Sequence, residues 1–470
     1  MSALPLSLER TDVRRAFLGN LAASGGETAM RFLLGLALAR LLRPAELGLF
    51  AMATAVFGIA QLLRDFGVSA YLQREPVLTS RRFSACLGLL ACTTLAVLLG
   101  LLLLAEPLSG LLGQPGLAPL LRVLALGLPV SAFGSVMAAL QLRELAAARI
   151  ARVSWLGVIS QAAVALSLSA GGAGALGLAW AQVAAAVACG LVYVGWRPSH
   201  LAWRPAARGW GEVLRFGGAS LFASGLGGLH AALPDLLLGR LGVPHQLGLL
   251  GRAQATVNLL QVVAGQALNF GALPLLSDRH ARGQALAPVL RRATALLTGL
   301  GWPLLALTVA YGEPLVRLLY GPAWLDCVPA LLPLALVAAL LLAFTQFNAA
   351  LAAVGRPELA AWPTAVSLAA RISFGLLLFD GSLASFAWAM GAAALVALPV
   401  QLGLAARLLG LPPRALLGAL GGSALATLAV LAVPLSVAPL AWLAVLRWTR
   451  HPLLDEALQL LARRRMTSRK

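Results

Sequence analysis

Long apolar runs follow one another along this chain, and most charged residues fall in the breaks between them. A helix needs about 20 apolar residues to cross a bilayer. On that measure the pattern predicts helices near 16–41, 48–72, 83–105, 119–142, 152–170 and 174–196. A basic connection runs from Arg197 to Glu212, and further helices follow near 213–240, 247–276, 287–311, 327–354, 358–379 and 384–407. A final pair, about 414–432 and 435–448, is less regular, because Pro434 interrupts it and the last run is short for a span. The first run is too long and too charged for the apolar stretch of a secretory leader, so it is expected to be retained. The expected class is an all-α polytopic membrane protein with about 12–14 transmembrane helices.

The joint between the first two runs recurs. Arg40-Leu41-x-x-Pro44-x-x-Leu47-Gly48-Leu49 is matched without a gap by Arg240-Leu241-x-x-Pro244-x-x-Leu247-Gly248-Leu249, and Ala53, Ala55 and Gln61 return as Ala253, Ala255 and Gln261. Chance matches of Leu and Ala are common in apolar helices, but an Arg, a Pro, a Gly and a Gln in one register are not. The chain therefore reads as a duplicated half. Its expected divisions are an N-lobe at 1–212, a C-lobe at 213–408, and a C-terminal helix pair with a basic tail at 409–470. Six helices return the chain to the side it started from, so the halves share one orientation. A parallel pseudo-two-fold about the membrane normal follows, with a substrate site expected between them.

Composition agrees with the pattern: 60% of residues are hydrophobic, 11% are charged, and mean hydropathy is +0.86. A formal charge of +19 raises the question of nucleic acid, and its placement answers it. With the amino terminus inside, the inner segments hold most arginines, among them Arg10, Arg14, Arg15, Arg81, Arg82, Arg204, Arg208, Arg291, Arg292 and the basic tail. The outer side keeps only Arg40, Arg43, Arg122, Arg240, Arg252 and Arg317. That asymmetry is the positive-inside rule, and it places both termini in the cytoplasm. The charge is topological, and no nucleic-acid partner is expected.

Polar residues inside the apolar runs fall on shared faces at helical spacing. Asn20, Ser24, Glu27, Arg31 and Gly35 form one stripe, with Glu27 and Arg31 at the i, i+4 spacing of an ion pair. Thr54, Gly58, Gln61 and Asp65 form a second; Ser220, Ser224, Gly227 and Asp235 a third; Gln254, Asn258, Gln261, Gly265 and Asn269 a fourth; Thr364, Ser367 and Arg371 a fifth. Small and polar residues on one face also hold helices together, so the Ser and Gly positions admit either reading. Arg40, Arg43 and Arg240 lie near helix ends and are expected to reach the headgroups. Arg31 and Arg371 lie too deep for that. Arg64 points about a quarter turn from its stripe and is a candidate counter-ion for Asp65.

Other chemistry is sparse. A nucleotide-driven pump needs a phosphate loop ending in Gly-Lys-Ser/Thr, and the only lysine is Lys470. The longest inner loop, near 197–212, has no paired carboxylates for a glycosyltransferase metal. Cys86, Cys92, Cys189 and Cys327 lack metal spacing and are expected as free, buried thiols. The five histidines are scattered singly. Neither metal nor cofactor is expected. Leu453 to Arg465 places Leu454, Ala457, Leu458 and Leu461 on one face before Arg463-Arg464-Arg465 and reads as an interfacial helix on anionic lipid.

The repeated joint, the following Asp65-Phe66-Gly67-Val68 and the later run from Gly312-Glu313-Pro314 to Tyr320-Gly321-Pro322-Ala323-Trp324 resemble the polysaccharide-transporter branch of the multidrug/oligosaccharidyl-lipid/polysaccharide exporter superfamily, which includes the Wzx-type flippases. The resemblance covers most of residues 10–410. It implies a two-lobed bundle that opens alternately to each side of a bacterial cytoplasmic membrane and turns over a polyprenyl-diphosphate-linked oligosaccharide for surface polysaccharide assembly. It also implies a transporter rather than an enzyme, with membrane lipids and a glycan polymerase or other biosynthesis proteins as partners. On that reading Arg31 and Arg371 suit the diphosphate. Gln61, Gln254, Asn258, Gln261 and Asn269 suit sugar hydroxyls, and Asp65, Asp235 and Glu27 are the acids able to carry a coupled cation. A cation-coupled drug exporter of the same superfamily is the alternative, and a membrane glycosyltransferase or polymerase a more distant one.

Overall fold

The structure is a computed structural model that describes residues 10–454 and 456, apart from 76, 145, 200, 270 and 271. Side chains at 10–24, 147, 223 and 259–275 lie outside that description. The described residues form helices and connecting turns with no strand among them, as hydrocarbon requires of a single chain that must satisfy its own backbone polar groups. Two compact units divide at the second copy of the joint: Met1–Gly248 and Leu249–Lys470.

In the first unit α1 (Arg10–Leu41), α2 (Pro44–Asp65) and the short α3 (Val68–Arg74) lead into α4 (Ser80–Leu111), α5 (Leu117–Leu126), α6 (Leu128–Arg143), α7 (Ala147–Ala170), α8 (Gly174–Gly195) and α9 (Gly211–Leu241). The second unit takes in most of α10 (Pro244–Asn269), then α11 (Ala272–Ala281), α12 (Ala287–Ala310), α13 (Gly312–Leu319) and a 3₁₀ stretch, Pro322–Ala330. It continues with α14 (Leu331–Ala343), α15 (Phe347–Ala353), α16 (Ala361–Leu377), α17 (Leu383–Leu409), α18 (Pro413–Leu431) and α19 (Ala438–Trp448). Among the described residues each expected run falls mainly on helix, although the one over 48–72 breaks at Phe66-Gly67 and the one over 327–354 at 344–346. Ten helical segments among the described residues are long and apolar enough to span a membrane, and α5 with α6 makes an eleventh, bent by 49°. The bend falls at Gly127, beside Pro129, whose ring cannot continue the hydrogen-bond ladder.

Both joints fold alike. Arg43 has extended backbone (φ −79°, ψ 153°), Pro44 starts α2, and the Glu46 carboxylate accepts from the Arg43 backbone N–H at 2.8 Å. In the second copy the Gln246 side-chain oxygen accepts from the Val243 N–H at 3.4 Å, one residue before Pro244. The repeat thus encodes one device twice: a proline first turn, which has no N–H to satisfy, and an acceptor three residues past the cap.

Lipid is as apolar as leucine, so helices in a membrane gain little from burying leucine and associate instead through close packing. α9 does this on a glycine seam. Gly217, Gly228 and Gly239 recur every eleven residues, about three helical turns, and therefore share a face. A Cβ at Gly217 would overlap the Phe66 carbonyl oxygen, one at Gly228 would overlap Leu62, and one at Gly239 would overlap Met52. The seam docks α9 antiparallel along α2. Where the chain leaves the apolar zone, packing becomes aromatic: Trp203 of the basic connection meets Phe83 edge-on at 5.0 Å, and the Ala206 N–H donates to the Ser84 carbonyl at 2.9 Å.

The last helix is followed by a break. α19 ends at Trp448, the chain turns through Arg450 (φ 49°), and helical backbone resumes at 452–454. His451 fills the break, packed on Gly299 and Gly422 near the middles of α12 and α18. Its Nε2 shares a hydrogen bond with the Ser423 hydroxyl at 3.2 Å, Ser423 meets Thr298 at 2.8 Å, and the Leu453 N–H donates to its Nδ1 at 3.3 Å. His451, one of the histidines that the sequence scatters singly, is buried inside the bundle, where glycine on two neighbouring helices opens space for an imidazole. Glu456 pairs with Arg292 at 2.7 Å. Leu458, Leu461 and Arg463-Arg464-Arg465 lie outside the described residues.

Candidate functional site

α1 carries Arg31 ten residues before its end, about 15 Å along the helix axis from that end. Its guanidinium donates to Glu27 Oε1 from Nε and Nη2, at 3.1 and 3.0 Å, and from Nη1 to Gln161 Oε1 of α7 at 3.5 Å. The pair expected from the i, i+4 spacing is present. Arg31 still leaves 55% of its side-chain surface open, against 23% for Glu27. An open guanidinium costs several kcal/mol where it meets hydrocarbon, so this position calls for water or an anionic partner. Sequence reasoning missed Gln161. Its signal was the single glutamine in α7, beyond the two arginines of the first turns; α7 packs on α1 where Gly26 meets Trp155.

On α2 the polar face divides. Thr54 turns its hydroxyl back to the Ala51 carbonyl at 2.8 Å, whereas half-buried Gln61 has no side-chain partner among the described residues. A Cβ at Gly58 would meet nothing within 4 Å, and the same holds at Gly227 of α9. These two stripe glycines therefore do not serve close helix packing, unlike the seam glycines beside them. Asp65 accepts from the Ser69 hydroxyl at 2.5 Å and from its N–H at 3.4 Å. Arg64, 5% exposed, donates instead to Ser135 of α6 at 2.9 Å, and its Nε has no partner among the described residues. The Arg64–Asp65 pair that adjacency suggests is not formed, because Phe66 (φ 44°) and Gly67 (φ 72°) both enter the left-handed region and turn Asp65 toward α3. Positive φ at Phe66 is strained for a bulky residue. The neighbouring seam glycine explains its tolerance, since a Cβ at Gly67 would come within 2.8 Å of Gly217 Cα.

Asp235 lies on the seam face of α9, two turns past Gly228, half-buried and without an ion pair among the described residues. Ser224 and Gly227 are exposed. On α10 Gln254 is half-buried and Asn258 exposed, neither with a side-chain partner among the described residues. The side chains of Asn20, Ser24, Gln261, Gly265 and Asn269 lie outside them. Arg371 of α16 is half-buried one turn after buried Ser367.

The run near 320 has a structural role. Arg252 of α10 lies 5.7 Å from the Tyr320 ring centroid and 5.6 Å from that of Trp324, and Thr256 meets the Tyr320 hydroxyl at 3.1 Å. Two aromatic faces thus hold a cation that the arginine pattern had set on the outer surface. The four cysteines are free, as expected; Cys86 and Cys327 are buried, but Cys92 is exposed because it lies on an outer flank of α4.

The two copies of the joint touch. A Cβ at Gly48 would overlap the Pro244 carbonyl oxygen, and one at Gly248 the Pro44 carbonyl oxygen. The contact is reciprocal, backbone to backbone, as a two-fold relation between repeats demands.

Residues 37–329 match the family described as polysaccharide biosynthesis protein. The chain belongs to that family. It is 27% identical over 377 residues to the succinoglycan biosynthesis transport protein ExoT of Rhizobium meliloti (strain 1021), covering 76% of this chain and 73% of that protein. Its fold is similar to that of lipid II flippase MurJ in an inward closed conformation, with a TM-score of 0.79 at 10% identity over 94% of this chain and 100% of that one. It is also similar to a multidrug resistance MATE family transporter of the MOP superfamily in its inward-facing conformation, with a TM-score of 0.61 at 15% identity over 80% and 93%. The polysaccharide-transporter resemblance seen in the sequence and the all-helical polytopic fold both hold.

Proposed function

We propose that this protein moves a polyprenyl-diphosphate-linked oligosaccharide across a bacterial cytoplasmic membrane by alternating access, with lobes at 1–212 and 213–408 and both termini in the cytoplasm. Arg31 carries the reading: an open guanidinium within a membrane-length helix, oriented by Glu27 and Gln161, is a ready partner for phosphate oxygens. Arg371 supplies the second cation. Gln61, Gln254 and Asn258, with uncommitted amides, and Gln261 and Asn269 take sugar hydroxyls. In the second unit an apolar cavity of about 860 Å³, lined by Trp302, Leu336, Phe344, Trp388, Leu395 and Leu417, gives a prenyl chain a place to lie. The reciprocal Gly48–Gly248 contact closes the outer side, and its parting opens that side. Glycan polymerases or other assembly proteins take up the product.

Asp235, an acid in a span with no ion pair among the described residues, favours one second reading, a cation-coupled exporter of small molecules. The test separates them. Arg31→Ala and Arg371→Ala should abolish surface glycan export at normal membrane levels of protein, while Arg40→Ala stays near wild type. Normal glycan with lost resistance to cationic drugs would select the exporter instead.

A further inference from the structure

We propose that the cleft between α3 and the start of α9 is a docking site for the phosphate headgroup of an amphiphile, separate from the Arg31 site. The cleft encloses about 500 Å³ and is lined by Tyr71, Arg74, Glu75, Glu212, Arg215 and Phe216. Its carboxylates are already engaged. Arg82 pairs with Glu75 and reaches Glu212 at 3.5 Å, and the Tyr71 hydroxyl donates to Glu212 Oε2 at 3.4 Å. Arg143, which is not part of that lining, donates to the backbone carbonyls of Leu72 and Glu75 at the end of α3.

Arg74 and Arg215 are left. Among the described residues neither has a carboxylate partner; Arg74 rests 5.1 Å from the Phe216 ring centroid. Two guanidiniums lining one cleft repel each other unless an anion lies between them, and Arg74, Arg82 and Arg215 against Glu75 and Glu212 leave a positive surplus. A phosphate monoester or diphosphate accepts bidentate hydrogen bonds from such groups. The flank of the cleft on α9 is apolar and open, with Leu214 40% and Phe222 75% exposed. Charge beside open apolar surface at the end of a span suits a ligand with a charged head and a lipid chain, rather than free phosphate. All four arginines belong to segments that the positive-inside asymmetry assigns to the cytoplasmic face. There the cleft serves as a loading port, a step that rests on the function proposed above; the headgroup site itself does not.

The test uses full-length protein in phosphatidylcholine nanodiscs carrying Arg31→Ala and Arg371→Ala, so that the deeper site is silent. Farnesyl diphosphate, farnesyl phosphate, farnesol and phosphatidylglycerol are the probes. Farnesyl phosphates should bind and farnesol should not compete. Arg74→Gln and Arg215→Gln should each weaken binding about tenfold, as loss of a charge-assisted contact does. Glu212→Gln should tighten binding severalfold, a gain that no folding defect produces. Equal binding by the Arg74→Gln/Arg215→Gln double variant, or competition by farnesol, would overturn the site. If farnesyl diphosphate is preferred over phosphatidylglycerol, the site loads cargo; if both bind alike, it holds an anionic membrane lipid, and the headgroup chemistry stands. Should the protein flip no lipid-linked glycan while Arg74-dependent binding persists, the functional reading falls and the site remains.

Discussion

Gly48→Ala is the most informative single substitution. The added Cβ would lie within 2.7 Å of the Gly248 nitrogen and 2.8 Å of the Pro244 carbonyl carbon, besides overlapping the Pro244 oxygen. These are backbone atoms of a capped helix start and cannot swing aside, so the joints must separate by roughly an ångström. Overpacking of this kind costs about 1–3 kcal/mol. Alanine also raises helix propensity by about 1 kcal/mol, but that gain is present whether the joints touch or not, and it cancels from the equilibrium between the two arrangements. The population with parted joints should therefore rise about 5- to 150-fold. The assay is labelling of a single cysteine at Ala51, one turn below the contact, by a membrane-impermeant maleimide applied from outside, in a background lacking Cys86, Cys92, Cys189 and Cys327. Gly48→Ala should accelerate labelling at least fivefold. Gly58→Ala, on the same helix but with open space around its Cβ, should leave it unchanged. Equal labelling of the two variants at equal protein levels would refute the claim that this contact is a moving seal.

Other predictions follow from single contacts. Reporter fusions near Arg204 and near His245 should fall on opposite sides of the membrane; the same side for both would undo the parallel repeat. Glu46→Ala removes the acceptor of the Arg43 N–H and should lower stability by about 1 kcal/mol, with a smaller loss for Gln246→Ala, whose bond is longer; reversal of that order in thermal melts would discount the capping role. His451→Ala strips fully buried Ser423 of a partner and leaves a void between Gly299 and Gly422, so the detergent-solubilised protein should lose about 2–4 kcal/mol. An unchanged melting curve would mean that the break after α19 is not anchored there.

Much of the fold was legible because membrane spans are written in long apolar runs and the duplication in a proline, a glycine and an arginine held in register. What eluded sequence reasoning was local and relational. The helix expected over 48–72 breaks at Phe66, where positive φ depends on Gly217 lying against it, a contact between residues far apart in the chain. The Arg64–Asp65 pair looked plausible by adjacency, yet the same break sends the two side chains to Ser135 and Ser69. Of the site, the Glu27–Arg31 pair followed from spacing alone, but Gln161 did not, since one glutamine in an apolar helix gives no sign of which neighbour it will meet. The surroundings of Asp235 were not legible for a related reason: without knowing that Gly217, Gly228 and Gly239 pack on α2, its place on their seam face could not be read from the sequence.

The central claim is tested most directly by reconstitution. Purified protein in vesicles should carry a fluorescent polyprenyl-diphosphate oligosaccharide from one leaflet to the other, with the potential and the pH gradient imposed separately. A headgroup bearing about two negative charges gains about 2.3 kcal/mol per charge per 100 mV when an inside-negative potential drives it outward. Transport should therefore respond to the potential and be lost in Arg31→Ala and Arg371→Ala. Should Asp65 or Asp235 carry a coupled cation, Asp65→Asn or Asp235→Asn should remove the response to the pH gradient while sparing that to the potential. Flipping at wild-type rates by the Arg31→Ala/Arg371→Ala double variant would contradict the account.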